Sequence, residues 1–215
     1  MVGSRPHLFS FADYYDPENM NFGNLRVFND DTVLGKQGFG THSHQDMEIV
    51  TILLQGTLSH QDSMGNTEHI RVGEVQRMSA GTGVQHSEFN ESEETVHLYQ
   101  IWIQPSERGL PPEYEQMKVP RKDNEVVPLV SNTGISGALN VHADVKISSL
   151  FLEKGKEVSF SLPEEKGLFV YLTSGKLRLN GEMLHQHDQA RVAGVGNIQL
   201  VADETSEMIL IEVAL

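Results

Sequence analysis

His42-Ser43-His44 and His86-Ser87-Glu88 each set two metal-capable side chains at positions i and i+2. On a β-strand, side chains two apart point to the same face. Two such pairs on neighbouring strands would gather three imidazoles and one carboxylate around one point, a site for a divalent cation. Neutral imidazole and carboxylate suit Fe(II), Mn(II), Ni(II), Cu(II) and Zn(II) alike. Four protein ligands on a metal that prefers six leave positions open for a substrate oxygen and dioxygen. With no thiolate among the ligands, a closed structural zinc site fits less well. The competing reading is surface histidines on a hairpin; two matched pairs, each next to turn glycines, weigh against it.

Glu48 competes with Glu88 for the fourth position, since it follows His44 by four residues. The same-face spacing of His86 and Glu88 favours Glu88, and Glu48 is then expected to orient a histidine by accepting its N–H. Protonated imidazole cannot ligate, so metal binding is expected to weaken in acid. His60 is expected to be partly buried and hydrogen-bonded, with a place facing the pocket as the alternative. His97 has no evident partner. His185-Gln186-His187 is a second His-x-His, but it sits in a polar stretch with no His-x-Glu downstream, and it is read as surface. Phe9, Phe11, Tyr14 and Tyr15 are expected to pack against a barrel wall. There is no Gly-x-Ser-x-Gly elbow and no phosphate-binding loop.

The chain that must position these residues has 215 of them, with 38% hydrophobic, 21% charged and a net charge of -14. That acidity argues against direct binding to nucleic acid or an anionic membrane, both of which need a basic face. There is no cysteine, so disulfides and thiolate metal sites are excluded. The N-terminal Met1-Val2-Gly3-Ser4-Arg5-Pro6 lacks the features of a signal peptide, and the expected compartment is the cytoplasm.

Short alternating or apolar runs separated by Gly, Asn and Asp turns read as β-structure throughout. Glu48 to Leu54 and Thr57 to Asp62 read as a hairpin, and Met64-Gly65-Asn66 as a turn. From Thr95 to Ile103, His97, Tyr99, Ile101 and Ile103 alternate with Val96, Leu98, Gln100 and Trp102. Prolines 105, 111, 112, 120 and 128 disfavour a helix or a central strand, so residues 105–128 read as a linker between an N-terminal barrel, 1–104, and a C-terminal one, 129–215.

The halves look like a diverged repeat. Leu54-Gln55-Gly56-Thr57-Leu58 resembles Thr173-Ser174-Gly175-Lys176-Leu177, and Ala80-Gly81-Thr82-Gly83 resembles Ala193-Gly194-Val195-Gly196. Counted without gaps from these glycines, His42 and His44 fall opposite Ser161 and Pro163, and His86 and Glu88 opposite Gln199 and Val201. The second half therefore keeps the punctuation without the ligands.

These residues resemble the pirin family of the cupin superfamily. The likeness runs from Phe9 to the C-terminus and is carried by Phe9-Ser10-Phe11-Ala12-Asp13-Tyr14-Tyr15-Asp16-Pro17, Leu25-Arg26-Val27 with Asn29-Asp30-Asp31, Gly38-Phe39-Gly40-Thr41-His42-Ser43-His44 through Glu48, His60-Gln61-Asp62-Ser63-Met64-Gly65-Asn66, and Ser79-Ala80-Gly81-Thr82-Gly83 into His86-Ser87-Glu88. It implies an all-β bicupin: two facing antiparallel β-barrels of jelly-roll type, the first holding a metal, usually iron. By position, the resemblance implies His42, His44, His86 and Glu88 as metal ligands. Most other cupins use a glutamate at the place of Glu48; pirin-type sites use the one at Glu88. Relatives commonly carry a further segment ahead of Phe9 that adds edge strand, and its lack is expected to touch barrel closure or assembly more than the site. Relatives also commonly carry His-Pro-His-Arg-Gly where this chain has Ser43, Gln45 and Asp46, so pocket charge and substrate preference are expected to differ.

The resemblance is close to bacterial pirin-like proteins assigned quercetin 2,3-dioxygenase activity. It implies a metal-dependent enzyme, Fe(II) first and Mn, Ni, Cu or Zn as alternatives, acting on a flavonol or a related enol or catechol with O2. Glu88 would accept the substrate hydroxyl proton, and Phe39, Ile52, Met78 and Phe89 are candidate lining residues. A second reading is a metal-binding regulatory protein acting through a protein partner. A third is another metal-dependent reaction, such as isomerisation of a small carbonyl compound, because fold does not fix reaction.

Overall fold

The computed structural model describes residues 2–4, 8–10 and 15–215. Of the N-terminal aromatic cluster, Phe11 and Tyr14 lie outside the described residues; Phe9 is buried and Tyr15 is exposed. Among the described residues there is no α-helix, and none long and apolar enough to cross a membrane. The chain divides into two compact units, Met1–Val119 with Val141–Ala143, and Pro120–Asn140 with Asp144–Leu215.

In the first unit the strands are β1 (Val2–Ser4), β2 (Leu25–Val33), β3 (Gly38–His44), β4 (Glu48–Gln55), β5 (Thr57–Asp62), β6 (Thr67–Arg71), β7 (Glu74–Ser79), β8 (Val84–Phe89), β9 (Val96–Ile103) and β10 (Glu113–Lys118). They form a six-stranded sheet, β1-β2-β9-β4-β7-β10, and a four-stranded sheet, β3-β8-β5-β6. In the second unit they are β11 (Val126–Ser131), β12 (Leu139–Asn140), β13 (Val145–Leu152), β14 (Glu157–Ser161), β15 (Lys166–Ser174), β16 (Lys176–Leu179), β17 (Glu182–His185), β18 (Gln189–Ala193), β19 (Asn197–Ala202) and β20 (Ser206–Ala214). Their sheets run β12-β11-β13-β20-β15-β18 and β14-β19-β16-β17. The small sheets have one and the same order, and β13-β20-β15-β18 repeats β2-β9-β4-β7. Each unit is thus a two-sheet barrel of jelly-roll type, antiparallel apart from the short parallel pair β11 and β12, and the all-β architecture is the one expected from the sequence.

Two expectations are corrected. The runs at 48–54 and 57–62 do not form a hairpin: β4 pairs with β7 and β9, and β5 with β6 and β8. β4 runs on through Gln55, so only Gly56 separates it from β5, and a hairpin needs a loop of about two residues at least. Gly56, at φ 82°, instead turns the chain from one sheet to the other, with its α-carbon so close to Val96 that a Cβ would lie 2.8 Å from Val96 Cγ2. Gly175 does the same between β15 and β16. The repeated glycine is therefore the corner between sheets.

The proline-dense stretch 105–128 also holds β10, which pairs with β7 along its whole length. It lies at the edge of its sheet, between Pro112 and Pro120, where the missing N–H groups cost nothing.

Inside the first unit, two apolar layers enclose a polar one. Val33, Leu53, Leu58, Ile70, Val96 and Leu98 pack at one end with Phe39, and Ile49, Met78, Ala80 and Val84 at the other with Met47, Met64, Trp102 and Tyr114. Strict alternation puts Thr51 between Ile49 and Leu53 on β4, Gln100 between Leu98 and Trp102 on β9, and Gln76 beside Met78 on β7. The register sets Gln76, Thr51 and Gln100 directly abreast. In the second unit the matching interior is one continuous apolar cluster that includes Leu177, Ile198, Leu200, Leu168, Val170 and Leu210. The gapless alignment is out of step there: Ser161 and Gln199 are exposed, and the inward positions are Phe160, Ile198 and Leu200.

Candidate metal centre

β3 and β8 are neighbours, and their register sets His42 opposite His86. Phe39 pairs with Glu88 and His42 with His86, so three steps on β3 match two on β8: a bulge at Gly40 and Thr41. Residues three apart on a regular strand face opposite ways. The bulge lets Phe39 face the apolar layer while His42 and His44 face the polar one.

The three histidines converge. His42 and His86 bring their Nε2 atoms to 3.0 Å. Ring centroids lie 4.7 Å apart for His42 and His44, 4.4 Å for His42 and His86, and 5.0 Å for His44 and His86. Their donor atoms fall within 4.8 Å of one another. A divalent ion bound by two imidazoles at about 2.1 Å, at right angles, needs nitrogens about 3 Å apart, which the His42–His86 pair already provides. His42 Nδ1–H donates to the Gly40 carbonyl at 2.7 Å, which leaves the lone pair on Nε2. Burial, with the neighbouring His42, lowers the pKa of His44 to about 4. Burial, with His42, His44 and His60, lowers that of His86 to about 3. Both rings are therefore neutral donors near pH 7, the form a cation needs.

Glu88 is 1% exposed on β8. Its Oε2 accepts Gln100 Nε2–H at 2.8 Å, and its Oε1 lies 3.5 Å from Thr51 Oγ1. Trp102 Nε1–H donates to Gln100 Oε1 at 3.3 Å and so fixes which end of the amide faces the carboxylate. Burial raises the Glu88 pKa to about 7, against the pull of these hydrogen bonds. Its carboxylate groups with His60 and His86 rather than with His42 and His44.

Glu48 is elsewhere. It is buried on β4, accepts Ser79 Oγ–H at 2.7 Å, and is bonded by the backbone N–H of His142. It orients none of the clustered histidines, contrary to expectation, because its side chain faces the side of the sheet that carries Arg77 and Ser79. His97 does have a partner: its Nε2 lies 2.5 Å from Asp30 Oδ1 on the adjacent strand β2. His185 and His187 join no donor group among the described residues; His187 sits at φ 70° in a turn, 3.3 Å from the Tyr171 hydroxyl.

The sequence reading underrated His60. It is 1% exposed, directly opposite Glu88 in the register, with its ring 5.3 Å from that of His86. Its Nε2 meets Asp62 Oδ2 at 3.1 Å. The signal was present, since His60-Gln61-Asp62 is a third i,i+2 pair of ionisable side chains. Of the expected lining residues, Phe39 and Met78 face inward, while Ile52 and the exposed Phe89 sit one step out of phase with Thr51 and Glu88. An open cleft of about 420 Å³ reaches the cluster at His44, lined also by Ser43, Gln45, Ser63 and Gln85. Two positions that depart from the common form of the motif, Ser43 and Gln45, line this cleft.

The family model described as Pirin matches residues 3–103, and the one described as Quercetinase C-terminal cupin domain matches residues 128–213. The chain is 43% identical over 207 residues to a protein of Escherichia coli named quercetin 2,3-dioxygenase, covering 96% of this chain and 89% of the relative. It is 36% identical over 211 residues to a pirin-like protein of Caulobacter vibrioides, covering 97% and 91%. Among solved structures, that of the bacterial pirin YhhW in complex with nickel(II), from Escherichia coli, superposes with a TM-score of 0.94 at 41% identity, covering 99% of this chain and 92% of that one. With matches that run nearly end to end in both sequence and structure, the chain belongs to the pirin family.

Proposed function

We propose that the protein is a metal-dependent dioxygenase that cleaves a flavonol such as quercetin, or a related enol or catechol, with His42, His44, His86 and Glu88 as metal ligands. The observation that carries this reading is the convergence of three imidazoles beside a buried carboxylate, one of the imidazoles, His44, lining an open cleft. The names of close relatives support it. The ligand set accepts several metals; Fe(II) is our first assignment because of the dioxygen chemistry, and nickel follows from the neighbouring pirin complex. A metal held by these residues would supply Lewis-acid activation of a substrate hydroxyl.

The side chains supply the rest. Gly40 keeps the His42 proton on Nδ1 and its lone pair directed at the cluster. Gln100, itself oriented by Trp102, occupies Glu88 Oε2 and leaves Oε1, which has only the long contact to Thr51, as the atom that takes the substrate hydroxyl proton. Without a metal, burial holds this carboxyl near 7; a bound cation would lower it and so favour the ionised form that accepts a proton. The cleft gives an aromatic substrate access at His44, whose ring meets Trp102 edge-on at 4.9 Å.

The test is oxygen uptake with quercetin by protein reconstituted anaerobically with Fe(II) or Ni(II), beside a His86→Ala variant. Catalytic uptake by the parent, reduced to the uncatalysed rate in the variant, is expected. No uptake by protein shown to hold its metal overturns the dioxygenase reading and leaves the regulatory and non-oxidative ones.

A further inference from the structure

His60 is held in a fixed orientation by its neighbours. Asp62 is fixed by four hydrogen bonds: the N–H groups of Met64 and Asn66 on Oδ1 at 2.9 and 3.1 Å, and Asn66 Nδ2 and His60 Nε2 on Oδ2 at 2.8 and 3.1 Å. The His60 ring is also clamped, with its centroid 4.8 Å from that of Tyr114. With its proton on Nε2 facing Asp62, the ring carries its lone pair on Nδ1. That atom is buried and has no partner. An imidazole that gives one N–H to a carboxylate and presents a bare nitrogen on the other side is the usual arrangement of a metal-bound histidine. A buried polar atom left unpaired costs about 1–3 kcal/mol, a cost that a bound cation would remove.

The surroundings point the same way. The His60, His86 and Glu88 donors lie within 4.8 Å of one another, as a second group that shares only His86 with the first. Gln76, fully buried on β7, has both amide atoms unpartnered. It stands in register between Thr51, which Glu88 touches, and Gln116, which bonds Tyr114. The polar layer thus continues inward past the three-histidine cluster.

We infer that His60 is a further nitrogen donor of this centre, which offers one divalent ion two overlapping positions: an outer one on His42, His44, His86 and Glu88, and an inner one on His60, His86 and Glu88. The inference rests on the metal-centre reading above. The ion would sit near the cleft in the first position and deep in the barrel in the second, with Asp62 orienting the inner histidine.

The experiment is a Co(II) titration of metal-free protein, read by visible absorption and by metal content after desalting. The His42→Ala/His44→Ala variant is expected to keep one Co(II), bound more weakly and with a changed spectrum. Adding His60→Ala to that variant is expected to abolish binding. Adding Asp62→Asn instead, which keeps the shape of the interior, is expected to weaken it about 10–100-fold. Parent protein that binds Co(II) while the His42/His44 double variant binds none overturns the inner position and leaves the metal-centre reading intact. So does a double variant whose affinity is unmoved by both further substitutions. Parent protein that binds no Co(II) overturns both.

Discussion

At Glu88, burial and hydrogen bonding pull in opposite directions, and burial wins: the carboxyl stands near 7 against an ordinary value of 4.5. A raised folded pKa contributes stability that is fully present below 4.5 and is lost as pH rises through about 7. Metal-free Glu88→Gln, which cannot ionise, is therefore expected to be more stable than the parent above pH 7, by about 3 kcal/mol, with the difference shrinking as pH falls toward 4.5. Urea melts across that range would show it; a difference independent of pH would contradict the burial argument. His44 and His86 have the opposite sign. Their lowered values contribute stability present above 6.5 and lost as pH falls toward about 4 and about 3. The same values refine the expectation that acid weakens metal binding through the imidazoles. These two rings remain neutral well below pH 6, so Glu88 carries much of the dependence between pH 7 and 5, up to tenfold in affinity per pH unit. Metal titration of Glu88→Gln should give a shallower slope over that window.

At the scale of elements, the bulge in β3 and the turn before β8 aim the side chains. Gly81 shows how little freedom that turn has. It sits at φ 48°, and an added Cβ would lie 2.0 Å from the Leu110 carbonyl oxygen. The Asp46 N–H bonds its carbonyl at 2.9 Å, so the turn also ties down the residues that follow His44. Gly81→Ala is expected to cost at least about 2 kcal/mol through strain and collision together. Gly65→Ala, at φ 97° with nothing within 4 Å, should cost about 1 kcal/mol through its backbone angle alone. Thermal denaturation of the pair separates the two terms, and equal losses would mean the Leu110 contact yields easily.

Across the whole molecule, one topology is used twice with different interiors. The first unit spends three sheet-facing positions, Thr51, Gln76 and Gln100, on a polar layer, and both donor groups among the described residues lie there. The second fills the matching space with aliphatic side chains. Leu200→Ala, at a fully buried position, is expected to destabilise the protein by about 2–5 kcal/mol and to leave Co(II) affinity unchanged. A variant that stays folded but loses metal would show that the two interiors are energetically coupled.

The sequence by itself determined what depends on neighbours along the chain. Period-two alternation marked the strands, the glycines marked the corners of a repeat, and i,i+2 spacing put His42 with His44 and His86 with Glu88 on shared faces. Tertiary structure decided what depends on which strands lie side by side. Glu48 and Glu88 look equivalent as letters, but β4 turns Glu48 toward Ser79 while β8 sets Glu88 beside His86 and His60. The Gly56 corner looked like a hairpin, because local pattern marks strand ends without saying which sheet each strand joins. His60 read as a buried, hydrogen-bonded residue with the pocket as its alternative, and it was the β5–β8 register that set it opposite Glu88. Side-chain direction is local; apposition comes from hydrogen bonds between strands far apart in sequence, and it is apposition that assembles a site.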